Sequence, residues 1–348
     1  MSSELEAAAP ERTALDFNLP KGEGFLLNSR GQRLHARTML PATVADVKAV
    51  LFWYHGYGAH TNGPTFVEFA KGMAANGYAV IALDQHGHGY SDGDRVLIKD
   101  YRHLMDDCLA ILDVITGGTE DSEQCHLGMD AALRQKMATL PYFLGGQSLG
   151  GGLALLVAMQ LRNDAARAET AKRFVGVLTN CPAILANPPP KPVVMILKYI
   201  LAPLFPSMQL PSFLEKVSVP ELVWTSQEYA DMAALDKVGK PGGLGWPGNM
   251  RIGTGAQLLD MIALLESKLP EVDFPFLVLH DPTDGIVRFD GSKKLMELAA
   301  TSEDIFRGRE LKEMPNLKHD LLSNATSEML QLYVDWAGVR LAALNGAP

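Results

Sequence analysis

The alternation of short, continuously apolar segments with longer helical patterns constrains the fold of this chain more than any other feature. Apolar runs without regular polar positions are typical of strands that are buried on both faces. Helical patterns follow most of these runs, which predicts an α/β fold with a mostly parallel sheet flanked by helices. We expect strands at 47–54, 78–84, 142–145, 174–179 and 276–280. We expect helices near 64–76, 100–116, 149–163, 254–269, 290–301 and 325–344.

A lead-in and an insert define the expected domain organisation. Residues 1–20 are polar and rich in alanine and proline, and we expect them to be a disordered lead-in. Residues 182–250 are rich in proline and carry apolar helical stretches between the prolines. We expect this insert, which follows the sixth core strand, to be a helical cap within a single domain spanning 21–348.

Charge and cysteine content exclude several classes of protein. The formal net charge of −9 argues against binding to nucleic acid, which requires a basic face. Three widely spaced cysteines form neither a disulfide framework nor a CxxC metal site. Residues 1–6 include two glutamates where a signal peptide has basic residues, and no apolar run approaches the ~20 residues that span a bilayer. We therefore expect a reduced, cytoplasmic protein.

The segment Gly146-Gln147-Ser148-Leu149-Gly150 is the strongest chemical motif in the chain. It lies between an apolar, strand-like run and a helical pattern, which is the setting in which a GxSxG motif forms a nucleophile elbow. A sharp turn from strand to helix exposes the serine, and the start of the helix offers backbone N–H groups to a developing oxyanion. We predict that Ser148 is a nucleophile.

A serine nucleophile requires a base and a group that orients this base. His319 lies between a strand-like segment and the C-terminal helical pattern, and Asp284 lies just past the last buried strand. The chain order of serine, acid and histidine agrees with an elbow-type hydrolase. We therefore choose Asp284 as the acid, with Asp281 and Asp290 as alternatives near the same strand end.

The loop after the first buried strand is the expected source of a second oxyanion donor. We predict that the backbone N–H groups of Tyr57 and Leu149 form the oxyanion hole, and that His55 is structural. His55, His60, His86 and His88 lack the spacing of a metal site, and the glycines form no phosphate-binding loop. We therefore expect no metal and no cofactor.

Four motifs together resemble the monoacylglycerol lipase family, which includes lysophospholipase-like and caffeoyl shikimate esterase-like members. They are His55-Gly56-Tyr57-Gly58, the segment Asp84-Gln85-His86-Gly87-His88-Gly89-Tyr90-Ser91, Gly146-Gln147-Ser148-Leu149-Gly150-Gly151, and Phe276-Leu277-Val278-Leu279-His280. The similarity extends over roughly residues 24–337. It implies an α/β-hydrolase core, a triad of Ser148, Asp284 and His319, and a lipophilic cap.

Two positions depart from the family pattern. Asp281 stands where family members usually have glycine after the histidine that ends this strand. Ala59 stands where members that bind glycerol monoesters commonly have an acid. The resemblance therefore predicts acyl-ester hydrolysis more strongly than it predicts the alcohol part of the substrate.

The leading functional hypothesis is a serine hydrolase of acyl esters, with a monoacylglycerol or lysophospholipid-type lipid as substrate. The alternatives are an esterase or aminopeptidase for small polar or aromatic substrates, and a hydrolase-like receptor without catalysis. In the cap, the apolar stretch 193–205 is expected to cover the acyl chain through Ile196, Ile200 and Leu204. Lys198 is expected to reach an anionic lipid surface, which predicts peripheral membrane contact.

Overall fold

A mostly parallel sheet organises the protein in the computed structural model, which describes residues 22–118, 125–214 and 219–344. Its nine strands within these ranges are β1 Glu23–Leu27, β2 Arg33–Met39, β3 Ala49–Tyr54, β4 Tyr78–Leu83, β5 Cys125–His126, β6 Tyr142–Gln147, β7 Phe174–Asn180, β8 Phe276–His280 and β9 Arg309–Glu313. The strand order is β5-β1-β2-β4-β3-β6-β7-β8-β9. All neighbouring pairs from β4 to β9 are parallel, whereas β5, β1, β2 and β4 pair antiparallel. The expected fold class is confirmed, and the lead-in at 1–20 lies outside the described residues.

The strands that the sequence predicts are those in the centre of the sheet. Every residue of β3, β4 and β8 is buried, and burial on both faces explains their continuous apolar composition. The sequence pattern did not predict β1 and β2, which mix polar with apolar residues near one edge of the sheet. It also missed β5, which is only two residues long.

Helices cover both faces of the sheet and form two apolar cores. They are α1 Pro64–Ala75, α2 Tyr101–Thr116, α3 Ala131–Met137, α4 Leu149–Asn163, α5 Ala168–Ala171, α6 Lys191–Ile196, α7 Ala202–Leu204, α8 Pro220–Val223, α9 Gln227–Leu235, α10 Ile252–Lys268, α11 Phe289–Leu298, α12 Leu321–Asn324 and α13 Thr326–Leu344. One core joins the sheet to α2, α4 and α10, and the other joins it to α1 and α13. None of the described helices is long and apolar enough to cross a membrane.

The cap is a helical insert that leaves the sheet after β7 and returns through α10. Because β5 has only two residues, β7 is the sixth of the longer strands. A π-helical turn, Leu197–Leu201, connects α6 to α7. Pro203 lies in the following turn and has no N–H to donate to a carbonyl four residues earlier, which explains the wider turn.

Candidate active site

Ser148 lies at the sharp turn between β6 and α4, with φ 55° and ψ −118°. This backbone conformation is strained for a residue with a side chain. A Cβ atom added to Gly150 would lie 1.9 Å from the carbonyl oxygen of Tyr54, and one on Gly146 would lie 2.5 Å from the carbonyl oxygen of Gly150. Only glycine fits at both positions. The Ser148 N–H donates to the carbonyl oxygen of Asn180 at 2.9 Å, which ties the turn to β7.

Ser148, His319 and Asp284 form a continuous hydrogen-bonded chain. Nε2 of His319 lies 2.9 Å from Oγ of Ser148, and Nδ1 lies 2.7 Å from Oδ2 of Asp284. An ionised carboxylate only accepts hydrogen bonds, so Nδ1 carries the proton and Nε2 presents its lone pair to the serine. The other oxygen of Asp284 accepts from the N–H groups of Ile286 at 2.7 Å and Val287 at 3.1 Å.

The carboxyl group of Asp284 is fully buried yet remains ionised. Burial raises the pKa of this carboxyl group. Neighbouring His319, His280 and the N–H of Ile286 lower the pKa by more than burial raises it. The net result is a pKa well below the usual range. Asp284 is therefore negatively charged at neutral pH and can stabilise a positive charge on His319.

The two alternative acids do not contact His319. Asp281 is completely buried, and its Oδ2 accepts from the N–H of Lys318 at 2.6 Å. Asp281 therefore stabilises the loop that carries His319 and does not contact the imidazole of His319. The side chain of Asp290 is 49% exposed and pairs with a neighbouring arginine and a neighbouring lysine. Of the three candidates, the structure brings only Asp284 to His319.

The loop after β3 lies directly against the serine. A Cβ atom on Gly56 would lie 3.4 Å from Cβ of Ser148, and Tyr57 lines the same cavity as Ser148. Leu149 also lines this cavity and is the first residue of α4. Leu149 and Tyr57 thus lie beside Ser148, and the N–H of a first helical residue such as Leu149 has no partner within its own helix.

The four histidines near this loop contact protein groups. Nδ1 of His55 donates to the carbonyl oxygen of Gly56 at 2.8 Å, in agreement with a structural role. His60 pairs with Asp236 of the cap at 2.7 Å. His86 contacts a buried aspartate at 3.1 Å, and Nδ1 of His88 donates to the carbonyl oxygen of His86.

Ser148 and His319 line a cavity of about 490 Å³ between the core and the cap. Its wall is largely apolar and includes Val194, Leu197, Val223, Met232, Leu258 and Ile262. Two carboxylates, Asp236 and Asp320, lie in the described wall. Asp236 is bound to a histidine, and Asp320 accepts from a glutamine amide at 2.7 Å and from an indole N–H at 3.0 Å.

The prediction that Ile196, Ile200 and Leu204 cover the substrate is wrong. These side chains are 50%, 53% and 65% exposed, and none of them lines the cavity. Val194 and Leu197 of the same segment line it instead. The segment is apolar nearly all round, so its sequence did not reveal which of its faces turns inward.

The expectation for Lys198 also needs correction. Its ammonium group pairs with Asp260 on α10 and lies 5.3 Å from the centre of the Tyr199 ring. The side chain lines the cavity and is only 23% exposed. Lys198 therefore joins the cap to the core and does not extend a free charge outward.

The cap and the loop of His319 are joined by contacts that the sequence pattern did not predict. Lys318 Nζ donates to the carbonyl oxygen of Trp224 at 2.6 Å, and the N–H of Asp320 donates to the carbonyl oxygen of Val223 at 3.1 Å. The indole N–H of Trp224 donates in turn to the Asp320 carboxylate. The proline-rich insert contains two tryptophans, Trp224 and Trp246, and its sequence did not indicate which of them makes this connection.

Comparison with known proteins agrees with this geometry. The family model for serine aminopeptidase, S33, matches residues 45–326. Monoglyceride lipase from Mus musculus is 27% identical over 346 residues, which cover 99% of each chain. Caffeoylshikimate esterase from Arabidopsis thaliana is 24% identical over 301 residues, covering 86% of this chain and 79% of the esterase.

Solved structures show the same architecture. A soluble variant of monoglyceride lipase from Saccharomyces cerevisiae, in complex with a substrate analogue, has a TM-score of 0.69 and 19% sequence identity. The alignment covers 96% of this chain and 98% of the yeast chain. With the elbow and the mostly parallel sheet, these findings show that the chain is an α/β-hydrolase of the serine aminopeptidase S33 family, with monoglyceride lipases among its full-length relatives.

Proposed function

We propose that this protein is a carboxylic ester hydrolase that cleaves monoacylglycerols through Ser148, His319 and Asp284. The observation that carries this proposal is the hydrogen-bonded chain of these three side chains at the wall of a largely apolar cavity. The full-length similarity to monoglyceride lipases supports the substrate class.

The proposed reaction has two halves that use the same groups. His319 Nε2 takes the proton of Ser148 as its oxygen attacks the ester carbonyl, while the N–H groups of Tyr57 and Leu149 bind the oxyanion. The C–O bond to the alcohol then breaks, and His319 returns the proton to the departing alkoxide. Water next attacks the acyl-enzyme with His319 as base, which releases the fatty acid and restores Ser148. Asp284 holds the imidazole and stabilises its charged form.

The cavity wall favours a lipid over a peptide. Each CH₂ group that enters an apolar cavity contributes about 0.8 kcal/mol, so a long acyl chain gains affinity along this wall. A free α-ammonium group of a peptide would need an unpaired carboxylate, and both described carboxylates in the wall already bind protein groups. Hydrolysis of a small polar or aminoacyl substrate is therefore the weaker alternative.

We also propose that the cap contacts a lipid surface. Met195, Ile196, Tyr199, Ile200, Leu204 and Phe205, here named the outer cap face, are all at least 50% exposed. Large apolar side chains that cluster on a protein surface mark interaction sites. Because this face belongs to the segment that also lines the cavity, contact with lipid would bring the membrane close to the substrate entrance.

A substrate panel with a serine variant tests the catalytic proposal. We expect the wild type to release fatty acid from monooleoylglycerol faster than it cleaves a phenolic ester or an aminoacyl anilide. Ser148→Ala should lose activity on the order of a millionfold, as triad serines do in other hydrolases. A fluorophosphonate probe should label the wild type and not this variant.

Ser267→Ala is the matched control because Ser267 lies on the exposed side of a helix, away from the cavity. It should keep full activity and labelling. Activity of a few per cent in Ser148→Ala would contradict the proposed nucleophile. An unlabelled wild type would favour a receptor without catalysis, and faster cleavage of the anilide would favour an aminopeptidase.

A further inference from the structure

A second buried histidine lies beside the carboxylate of Asp284. His280 is the last residue of β8 and is completely buried. Its Nε2 lies 3.3 Å from Oδ2 of Asp284, which is the same oxygen that His319 contacts. Its Nδ1 lies 2.7 Å from Oγ of Ser292, a completely buried residue of α11. Close polar contacts therefore continue beyond the acid, from Asp284 through His280 to Ser292.

The chemistry of these groups determines where their protons lie. A neutral histidine has one ring nitrogen that donates and one that accepts. Asp284 can only accept, so the stable arrangement places the proton of His280 on Nε2, facing the carboxylate. Nδ1 is then an acceptor, and the hydroxyl group of Ser292 must donate to it. Ser292 thereby selects the tautomer of His280 that suits Asp284.

The surroundings of His280 determine what its Nε2 can contact and how its ring is oriented. Among the described residues, Nε2 of His280 makes no hydrogen bond of ordinary geometry, and the carboxylate of Asp284 lies beside it at 3.3 Å. The ring of Phe289 packs edge-on against the imidazole, with 5.4 Å between the ring centres, and this contact restricts its orientation. A buried imidazole with a fixed plane and a fixed tautomer can hold a neighbouring carboxylate in one position.

We propose that His280, with its tautomer set by Ser292, is a positioning residue. It holds the carboxylate of Asp284 in the position that bonds to the imidazole of His319. This inference rests on the proposed function, because it assigns a role to a neighbour of the proposed catalytic acid. The remaining groups around the carboxylate are the backbone N–H groups of Ile286 and Val287 and the buried thiol of Cys181. Those N–H groups donate to Oδ1 of Asp284, whereas His280 and His319 both contact Oδ2.

Two substitutions of His280 distinguish the effect of its N–H donor from the effect of its side-chain volume. His280→Gln keeps an N–H donor near the position of Nε2, and His280→Leu fills the space without a donor. We expect His280→Leu to lower kcat by about tenfold to a hundredfold, the range found when outer partners of metal ligands are removed. KM should stay close to its wild-type value, because His280 does not line the cavity. His280→Gln should recover most of the lost kcat.

Proton NMR gives a readout that a purely structural role would not change. We expect the downfield resonance of the His319 Nδ1 proton to weaken or move upfield in His280→Leu and to persist in His280→Gln. Ser292→Ala should reproduce the effect of His280→Leu, because His280 loses the donor that sets its tautomer. Ser267→Ala is the matched serine control and should change neither kcat nor this resonance.

The outcomes distinguish this inference from the proposed function. If Ser148→Ala is inactive while His280→Leu and Ser292→Ala keep wild-type kcat and the downfield resonance, the positioning role is wrong and the proposed function stands. If Ser148→Ala remains active, the proposed function itself fails. Should His280→Leu not fold, Ser292→Ala decides the question, because it removes a single oxygen atom from the network.

Discussion

At the scale of single residues, Asp281 and Asp284 show how two nearby carboxylates acquire different roles. Asp284 contacts the imidazole of His319, whereas Asp281 accepts from the backbone N–H of Lys318. Lys318 has a positive φ of 57°, a conformation that is strained for a residue with a side chain. Asp281 therefore stabilises the loop, whereas Asp284 contacts the imidazole of His319, which the loop carries.

Substitution by asparagine should separate these two roles. Asp284→Asn should lower kcat by about four orders of magnitude with little change in Tm, because the amide favours the wrong tautomer of His319. Asp281→Asn should lower Tm and reduce activity far less, since one amide NH₂ group then faces a backbone N–H. Kinetic assays and thermal unfolding check both, with exposed Asp290→Asn as the unchanged control. A fully active Asp284→Asn would refute its assignment as the acid.

At the scale of elements, the cap segment carries two apolar faces with different surroundings. One face presents Val194 and Leu197 to the cavity, and the other is the outer cap face. Apolar side chains on a surface of this kind favour insertion at the boundary between lipid headgroups and acyl chains. One short segment can therefore both shape the substrate site and bring it to a lipid surface.

Polar substitutions on the outer cap face should weaken vesicle binding. We expect the double variant of Ile196→Ser and Ile200→Ser to co-sediment less with phosphatidylcholine vesicles, because it places two fewer large apolar side chains in the lipid. Leu298→Ser is the matched control, since Leu298 is also exposed but lies on α11. Equal binding of the double variant and the wild type would show that this face does not contact lipid.

A buried ion cluster joins strands β1 and β2 to the end of β4. His35 lies 2.9 Å from Asp84 and 3.2 Å from Glu23. Burial lowers the pKa of His35, but the two carboxylates more than offset this effect and raise it to about 9. Neighbouring His35 in turn lowers the pKa of Glu23 to about 2. The cluster ties the antiparallel edge of the sheet to its parallel centre.

This cluster predicts a defined dependence of stability on pH. Because folding raises the pKa of His35 from 6.5 to about 9, its contribution is complete below pH 6.5 and is lost as the pH rises through about 9. The contribution of Glu23 is complete above pH 4.5 and is lost towards about pH 2. The difference in Tm between wild type and His35→Gln should therefore be largest between pH 4.5 and 6.5 and shrink towards pH 9. A difference that grows with rising pH would contradict this prediction.

At the scale of the whole molecule, the net charge and the outer cap face have opposite expected effects on the proposed membrane contact. The formal net charge is −9, which repels an anionic surface. Lys198, which lies in the same segment as this face, is paired with Asp260. We therefore expect the proposed lipid contact to depend on the apolar side chains rather than on electrostatic attraction.

The response of vesicle binding to salt and lipid charge tests this balance. We expect binding to neutral phosphatidylcholine vesicles to change little between about 50 mM and about 500 mM salt, because screening does not weaken apolar contacts. Adding anionic lipid at low salt should weaken binding. Co-sedimentation measures both, and stronger binding to anionic vesicles at low salt would show that attraction to basic residues dominates.

The sequence alone determined the central strands, the elbow and the chain order of serine, acid and histidine. These features depend on local physics. A strand buried on both faces needs a continuous apolar run, and the elbow needs glycine at 146 and 150, because a neighbouring carbonyl oxygen leaves no room for a Cβ atom. Such requirements depend on residues that are adjacent in the sequence, so they can be recognised without knowledge of the rest of the chain.

Only the tertiary structure decided which acid meets His319, which face of the cap segment turns inward, and that His280 and Ser292 meet behind Asp284. Each of these outcomes depends on the relative placement of segments that are distant in the chain. Asp281 and Asp284 follow the same strand, and their different contacts arise from the position of the histidine loop. A helix that is apolar all round likewise packs according to its neighbours, because its own sequence favours neither face.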